Sequence, residues 1–173
     1  MQQDFLNAVE YSHFLLKENV SEGDSVIDAT AGNGHDSKFL AELVGEKGKV
    51  YSFDIQKAAV KNTKELLKKE NLSDQAEVIL DSHANIDKYI DQKVAAVIFN
   101  LGYLPGGNKE IITRSKSTIT AVEESIKLLQ KKGLIILVIY SGHQGGEEGD
   151  RHPLDQSPHP VHQPCAGALD EAG

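Results

Sequence analysis

Residues 26–36 read VIDATAGNGHD, a short apolar run that passes through an acidic residue into a glycine-rich turn and on towards a helix. Gly32 and Gly34 lack a Cβ, so the backbone there can turn sharply and approach a ligand at a helix N-terminus. Asp28 narrows the chemistry. A carboxylate directed into such a turn repels a pyrophosphate but accepts hydrogen bonds from a cationic amino-acid group, which favours S-adenosylmethionine over NAD. The third glycine of GxGxxG is replaced by Ser37. Because a GxG turn also occurs as a purely structural feature, the assignment depends on its surroundings.

Asp54 closes the run YSFDI, twenty residues after Gly34. At that strand end a carboxylate can accept both hydroxyls of a ribose; a helix N-cap is the alternative, and the two are compatible. Asp81, Ser82 and His83 follow a third apolar run, where polar groups reach the amino edge of an adenine or simply form a surface loop. The segment FNLGYLPGG, residues 99–107, ends a fourth run. Methylating an amine requires its lone pair to lie in line with the methyl–sulfur bond, and acceptors for its N–H groups aim that lone pair. Asn100 supplies one acceptor, the carbonyl of Leu101 or Gly102 a second, and Tyr103 a ring on which the target stacks. Gly106 and Gly107 are either a substrate-closing loop or a plain link to the next helix. Lys57, Lys61, Lys64 and Lys68 fall on one helical face and read as a solvated stripe. Lys109, Arg114 and Lys116 follow the acceptor loop, where they would hold the phosphates of a nucleic acid.

The elements that position these residues follow from periodicity. An amphipathic helix is expected over residues 4–17, with Phe5, Val9, Phe14 and Leu15 on its apolar face. Strands are expected at 25–29, 50–54, 77–80, 94–99 and 134–140, and helices at 35–44, 56–69, near 85–90 and over 118–131, with Gly133 capping the last. The runs VAAVIF and LIILVIY are continuously apolar, as in strands buried on both faces. Strand and helix alternate, so the fold class is α/β, a Rossmann-like, doubly wound, mostly parallel sheet.

The 173 residues suffice for one domain, here 1–142. Up to Gly142 there are 17 Lys and Arg against 20 Asp and Glu, and from His143 onward 1 against 6, so much of the net charge of −8 belongs to the final segment. That segment, 143–173, holds four of the five prolines and four of the seven histidines without apolar periodicity, and reads as a disordered or non-native tail. Its His152, His159, His162 and Cys165 match no compact metal site, and no metal is expected. A lone cysteine, no run of about 20 apolar residues and no basic leader suggest a cytoplasmic protein without membrane contact.

Together, DATAGNGHD, NLGYLPGG and YSGHQGG resemble a small bacterial family of class I S-adenosylmethionine-dependent methyltransferases long labelled rRNA methylases. Its members are understood as tRNA wobble-uridine methyltransferases that convert 5-aminomethyl-2-thiouridine to the methylaminomethyl form. The resemblance implies that Asp28, Ala29, Gly32, Asn33, Gly34, His35, Asp36, Asp54, Ile55, Ser82 and His83 hold the cofactor. It also implies that Asn100, Leu101, Gly102 and Tyr103 border methyl transfer and that His143 faces the substrate, the anticodon loop of a tRNA whose phosphates Lys109 and Arg114 are placed to hold; a homodimer is left open. Asn100 to Tyr103 are also similar to the [DN]PP[YF] motif of amino-group methyltransferases, with Leu101 and Gly102 in place of both prolines. The resemblance spans about 5–146 and stops there, whereas the family continues with a helix and two strands, so the sheet is expected to lack its terminal strands. Open alternatives are an rRNA or small-molecule amine methyltransferase with the same cofactor site, and a non-catalytic nucleotide-binding module.

Overall fold

In the computed structural model, residues 7–101 and 115–139 are described. In order they form α1 (Ala8–Asn19), β1 (Ser25–Asp28), α2 (His35–Val44), β2 (Lys49–Asp54), α3 (Lys57–Lys69), β3 (Ala76–Leu80), a 3-10 helix (His83–Lys88), β4 (Val94–Leu101), α4 (Ser115–Leu128) and β5 (Leu129–Ile139). The strands make one sheet in the order β3-β2-β1-β4-β5, and each neighbouring pair is parallel. The chain winds outward from β1 through β2 and β3, then crosses back to lay β4 on the other flank of β1. At such a reversal the two crossovers diverge to opposite faces and leave a crevice beyond the strand ends. Asp28 lies opposite Ile98 in the β1–β4 ladder, so β4 continues three residues past the end of β1 and carries Asn100 and Leu101 along that crevice.

Both faces of the sheet are packed. On one, Leu16 and Val20 of the α1 region, Leu40, Ala41 and Val44 of α2, and Leu67 of α3 meet Val26, Val50, Ile98, Ile136 and Val138. On the other, Ile86 and Ile90 with Ala121 of α4 cover Ile27, Phe53, Ile79, Val97 and Phe99. Burying each large apolar side chain completely stabilises the fold by about 1.5–3 kcal/mol, so this two-sided core supports the parallel arrangement.

Four local expectations need correction. The face that α1 buries runs through Ser12 and Leu16, and Phe14 is 49% exposed, stacked against Tyr11 at 6.3 Å. The last helix ends at Leu128, three residues early, and β5 starts at Leu129 beside Val94 before a bulge restores register at Ala96–Leu134. Lys132, at φ +69°, adopts the left-handed conformation that Gly133 was expected to supply. Gly133 is needed for space instead: a Cβ there would lie 3.0 Å from the Gln130 carbonyl oxygen and 3.1 Å from that of Ala95. Finally, β5 is the outer strand of the described sheet and alternates, with Ile136 and Val138 buried and Leu137 and Ile139 more than 40% exposed.

The turn from β1 to α2 depends on Gly34, which sits at φ +85° as the N-cap of α2. A Cβ there would lie 2.9 Å from the Thr63 Cα, which is backbone of α3 and cannot swing aside. Gly34→Ala is expected to combine left-handed strain with steric overlap and to lower the unfolding free energy by roughly 2–4 kcal/mol in urea denaturation.

Candidate functional site

Asp28, the last residue of β1, is fully buried. Its Oδ2 accepts the Ser37 hydroxyl at 2.6 Å and its Oδ1 accepts the Thr30 N–H at 3.1 Å. Ser37 is also fully buried, so the residue standing in place of the third glycine is the hydrogen-bond partner of the carboxylate. Two further carboxylates, Asp36 and Asp54, lie near enough to act on Asp28. Burial, then the charge of Asp36, and to a lesser degree that of Asp54, push Asp28 up to about 7, against the opposing hydrogen bonds from Ser37 and Thr30.

The glycine turn is tied to its surroundings through backbone groups. The Ala29 N–H donates to the Ile98 carbonyl at 2.9 Å, and the Ala31 N–H to that of Phe53 at 2.9 Å, which anchors the turn to the strands on both sides. Asp54 joins two loops: its Oδ2 accepts the Gly32 N–H at 3.0 Å and its Oδ1 the Gln56 N–H at 2.9 Å. The N-cap of α3 is Gln56, so the capping alternative for Asp54 gives way to this bridging role. A carboxylate has about four acceptor positions, and two remain for a diol. Ile55, 54% exposed, follows immediately and offers apolar surface beside it. Asn33 accepts from the Asn62 amide at 3.0 Å, and the Thr63 hydroxyl donates to the Gly32 carbonyl at 3.2 Å, which fixes the turn against α3.

After β3, Ser82 caps the 3-10 helix by accepting the Ala84 N–H at 3.2 Å. Asp81 braces the same loop, accepting from the Ser82 N–H, the Asn85 amide and the Tyr89 hydroxyl at 2.7–2.9 Å. His83 reaches back to the turn, its Nδ1 lying 3.0 Å from the Ala29 carbonyl. Burial lowers the His83 pKa, outweighing the Ala29 hydrogen bond and the charge of Asp54. In the neutral ring Nδ1–H donates to Ala29 and Nε2 is an acceptor; that nitrogen is buried and has no partner among the described residues.

Beyond β4, the Asn100 N–H donates to the Thr30 hydroxyl at 2.7 Å, and its Nδ2 donates to Asp36 Oδ2 at 3.1 Å. This second contact sets the amide orientation, because only the nitrogen can donate to a carboxylate, and Oδ1 is therefore the end directed away from Asp36. Asp36 Oδ1 lies 2.7 Å from His13 Nε2 on α1, and the His13 ring stacks on Phe39 with centroids 3.9 Å apart and planes within 3°. The structure thus brings Asp28, Asp36, Asn100 and the glycine turn to one crevice, and leaves His35 exposed at the first position of α2. Gly102, Tyr103, Lys109, Arg114 and His143 lie outside the described residues, as does the segment 143–173. The exposed lysines Lys57, Lys61, Lys64 and Lys68 form the solvated face expected of them. His13 and Thr30 were not singled out in the sequence. The available signals were the place of His13 between Val9 and Leu16 on the inward side of α1, and a hydroxyl within the turn motif.

The elevated Asp28 has a measurable consequence. In the unfolded chain it titrates near 3.8, so between about pH 4 and pH 7 the native state holds a proton that the unfolded state has lost. That contribution is fully present below pH 4 and disappears as pH rises through 7. Asp28→Asn, which cannot ionise, is expected to flatten the fall in stability across this window. Urea unfolding at a series of pH values checks it, and equal slopes for the two proteins would remove Asp28 as the cause.

Residues 50–155 match the family described as "Putative rRNA methylase", a span that runs past residue 146, where the motif resemblance stops. A tRNA (mnm(5)s(2)U34)-methyltransferase, chloroplastic, of Arabidopsis thaliana is 40% identical over 151 residues, covering 82% of this chain and 55% of that protein. The chain therefore spans about half the length of that relative. A structure from Clostridium thermocellum described as a "putative rRNA-methylase" is 50% identical, with a TM-score of 0.82, covering 83% of this chain and 77% of that one. A Streptococcus mutans protein described as "a putative methyltransferase", solved in complex with SAH, is 36% identical with a TM-score of 0.75 over the same shares. The sheet order, the carboxylate-lined turn and these matches agree: the chain has the Rossmann-like fold of class I methyltransferases and belongs to this rRNA methylase family.

Proposed function

We propose that the protein is an S-adenosylmethionine-dependent N-methyltransferase acting on the 5-aminomethyl group of wobble (2-thio)uridine in tRNA. The observation that carries this reading is the Asn100 amide at the carboxyl end of β4, whose nitrogen donates to Asp36 and whose acceptor oxygen is thereby the end turned away from that carboxylate. The named activity of the Arabidopsis thaliana relative supports the substrate class.

The residues present suit the cofactor. Asp54 keeps two acceptor positions that would hold ribose hydroxyls, and the exposed Ile55 would offer apolar surface to an adenine ring. The buried Nε2 of His83 is an acceptor lacking a partner among the described residues. The charges of Asp36 and Asp54, which act on Asp28, give the crevice a negative potential that favours an ammonium and a sulfonium. When bound, S-adenosylmethionine supplies an electrophilic methyl group. Asn100 Oδ1 would accept one N–H of the neutral target amine and the carbonyl of Leu101 or Gly102 another, which would leave the amine lone pair free to take the methyl group. Tyr103 stacks on the base. Lys109, Arg114 and His143 hold the anticodon loop, where a single-stranded base enters a pocket at less cost than a paired one. Cytoplasmic tRNA is the pool this reading assigns; among the described residues no helix is long and apolar enough to cross a membrane.

Incubating undermodified tRNA with the protein and isotopically labelled cofactor, followed by nucleoside mass spectrometry, is expected to place the label on wobble uridine. Label in rRNA under the same conditions would move the substrate to that RNA, and label in neither, with an active family member as control, defeats the reading. Asn100→Ala is expected to keep S-adenosylhomocysteine affinity in calorimetry while turnover falls on the order of a hundredfold, because it removes a positioning contact and leaves the cofactor cradle intact.

A further inference from the structure

We propose that His13 of α1 is a positioning residue for the transfer step: acting through Asp36, it holds the Asn100 amide in the orientation that presents Oδ1 to the target amine. The inference rests on the reading of Asn100 given above. A hydrogen-bonded chain runs from His13 Nε2 to Asp36 Oδ1 at 2.7 Å and from Asp36 Oδ2 to Asn100 Nδ2 at 3.1 Å, joining three elements far apart in sequence. Each oxygen of Asp36 has one of these partners. With both in place the carboxylate cannot rotate, and its plane sets the direction from which Asn100 must donate. With only Asn100 left, carboxylate and amide would be free to turn together, and the aim of Oδ1 would be lost.

His13 is itself firmly held. Its ring lies parallel on Phe39 at 3.9 Å, and the Lys17 ammonium stands 5.7 Å from the centroid of the same Phe39 ring. One turn earlier, α1 is fixed by a reciprocal cap in which Asn7 Oδ1 accepts the Val9 and Glu10 N–H groups at 3.0 Å and Glu10 accepts the Asn7 N–H at 2.8 Å. One turn later, Leu16 is fully buried in the core. Helix α1 thus has its own cap and the buried Leu16 to hold it, in addition to the stacking of His13 on Phe39. Asp36 is only 7% exposed and lies beside the fully buried Asp28. The chain is only partly buried, with the His13 side chain 25% exposed, and polar contacts so placed add little net stability compared with apolar packing, which points to orientation as their purpose.

The test compares His13→Phe, which keeps a ring on Phe39 but loses the donor, with His13→Gln, whose side-chain amide can still donate to Asp36. His13→Phe is expected to lower kcat on tRNA by about tenfold or more, with S-adenosylhomocysteine affinity within about threefold of wild type, and His13→Gln to recover most of the loss. Wild-type kcat in His13→Phe overturns the proposal, and so does an equal loss in both variants accompanied by lost cofactor affinity. A readout independent of turnover separates this outcome from failure of the functional reading. The side-chain amide resonances of Asn100 in 15N-labelled protein are expected to shift in His13→Phe and stay near wild type in His13→Gln. Unmoved resonances in His13→Phe overturn the proposal even if the substrate proves to be a different RNA.

Discussion

The constraint on which this structure depends is a carboxylate removed from water at the end of its central strand. An isolated buried carboxylate is too costly to keep ionised, so it must be hydrogen-bonded, neutralised, or both. Asp28 shows both: Ser37 and the Thr30 N–H satisfy its oxygens, and the nearby charges of Asp36 and Asp54 add to burial in raising its proton affinity. The sharp turn at Gly34 and the approach of α2 follow from that requirement, because Ser37 reaches Asp28 only if the first turn of α2 lies directly over the end of β1. Asp54 faces a milder version of the same problem and solves it with the N–H groups of Gly32 and Gln56. Three acidic side chains thus converge on one crevice. Each is stabilised by a different neighbouring segment, so the segments cannot move independently.

Much of this was legible in the sequence because it rests on local rules. The glycines, the acidic strand ends and the apolar runs identify β1, α2, β2 and β4 to within a residue or two, since turn chemistry and strand burial leave distinct marks. Long-range geometry is where legibility ended. Phe14 has the same local spacing as Leu15, and only the docking angle of α1 decides that the helix turns Ser12 and Leu16 inward. The α4–β5 junction has no local signature, because β5 begins beside Val94 and regains register only after a bulge in its pairing with β4. By type, Ser37 is only an absent third glycine; its hydroxyl bond to Asp28 is a contact that spacing does not disclose. His13 shared a face with apolar residues, and a histidine there is legible as core or as ligand only once its partner, 23 positions away, is known.

The same distinction applies to the site. Residues that serve through backbone position, such as Gly32 and Gly34, announce themselves by type. Residues that serve through a shared carboxylate do not, because Asp36 could equally favour an α2 N-terminus electrostatically, a role that any acidic residue there fulfils. Its contacts to α1 and β4 distinguish it from an ordinary first-turn acid.

One hydrogen bond described above, from the Asn100 N–H to the Thr30 hydroxyl, joins residues 70 positions apart in the chain. The intervening segment contains α2, β2, α3 and β3, so β1 meets β4 only after this long loop has closed. Contacts of that span carry the loop-closure entropy of everything between them and characterise slowly folding parallel sheets. The crevice is therefore not assembled by any stretch of chain that folds alone. It exists only where β1 and β4 are paired, and a ligand that occupies it binds only molecules in which that pairing is complete.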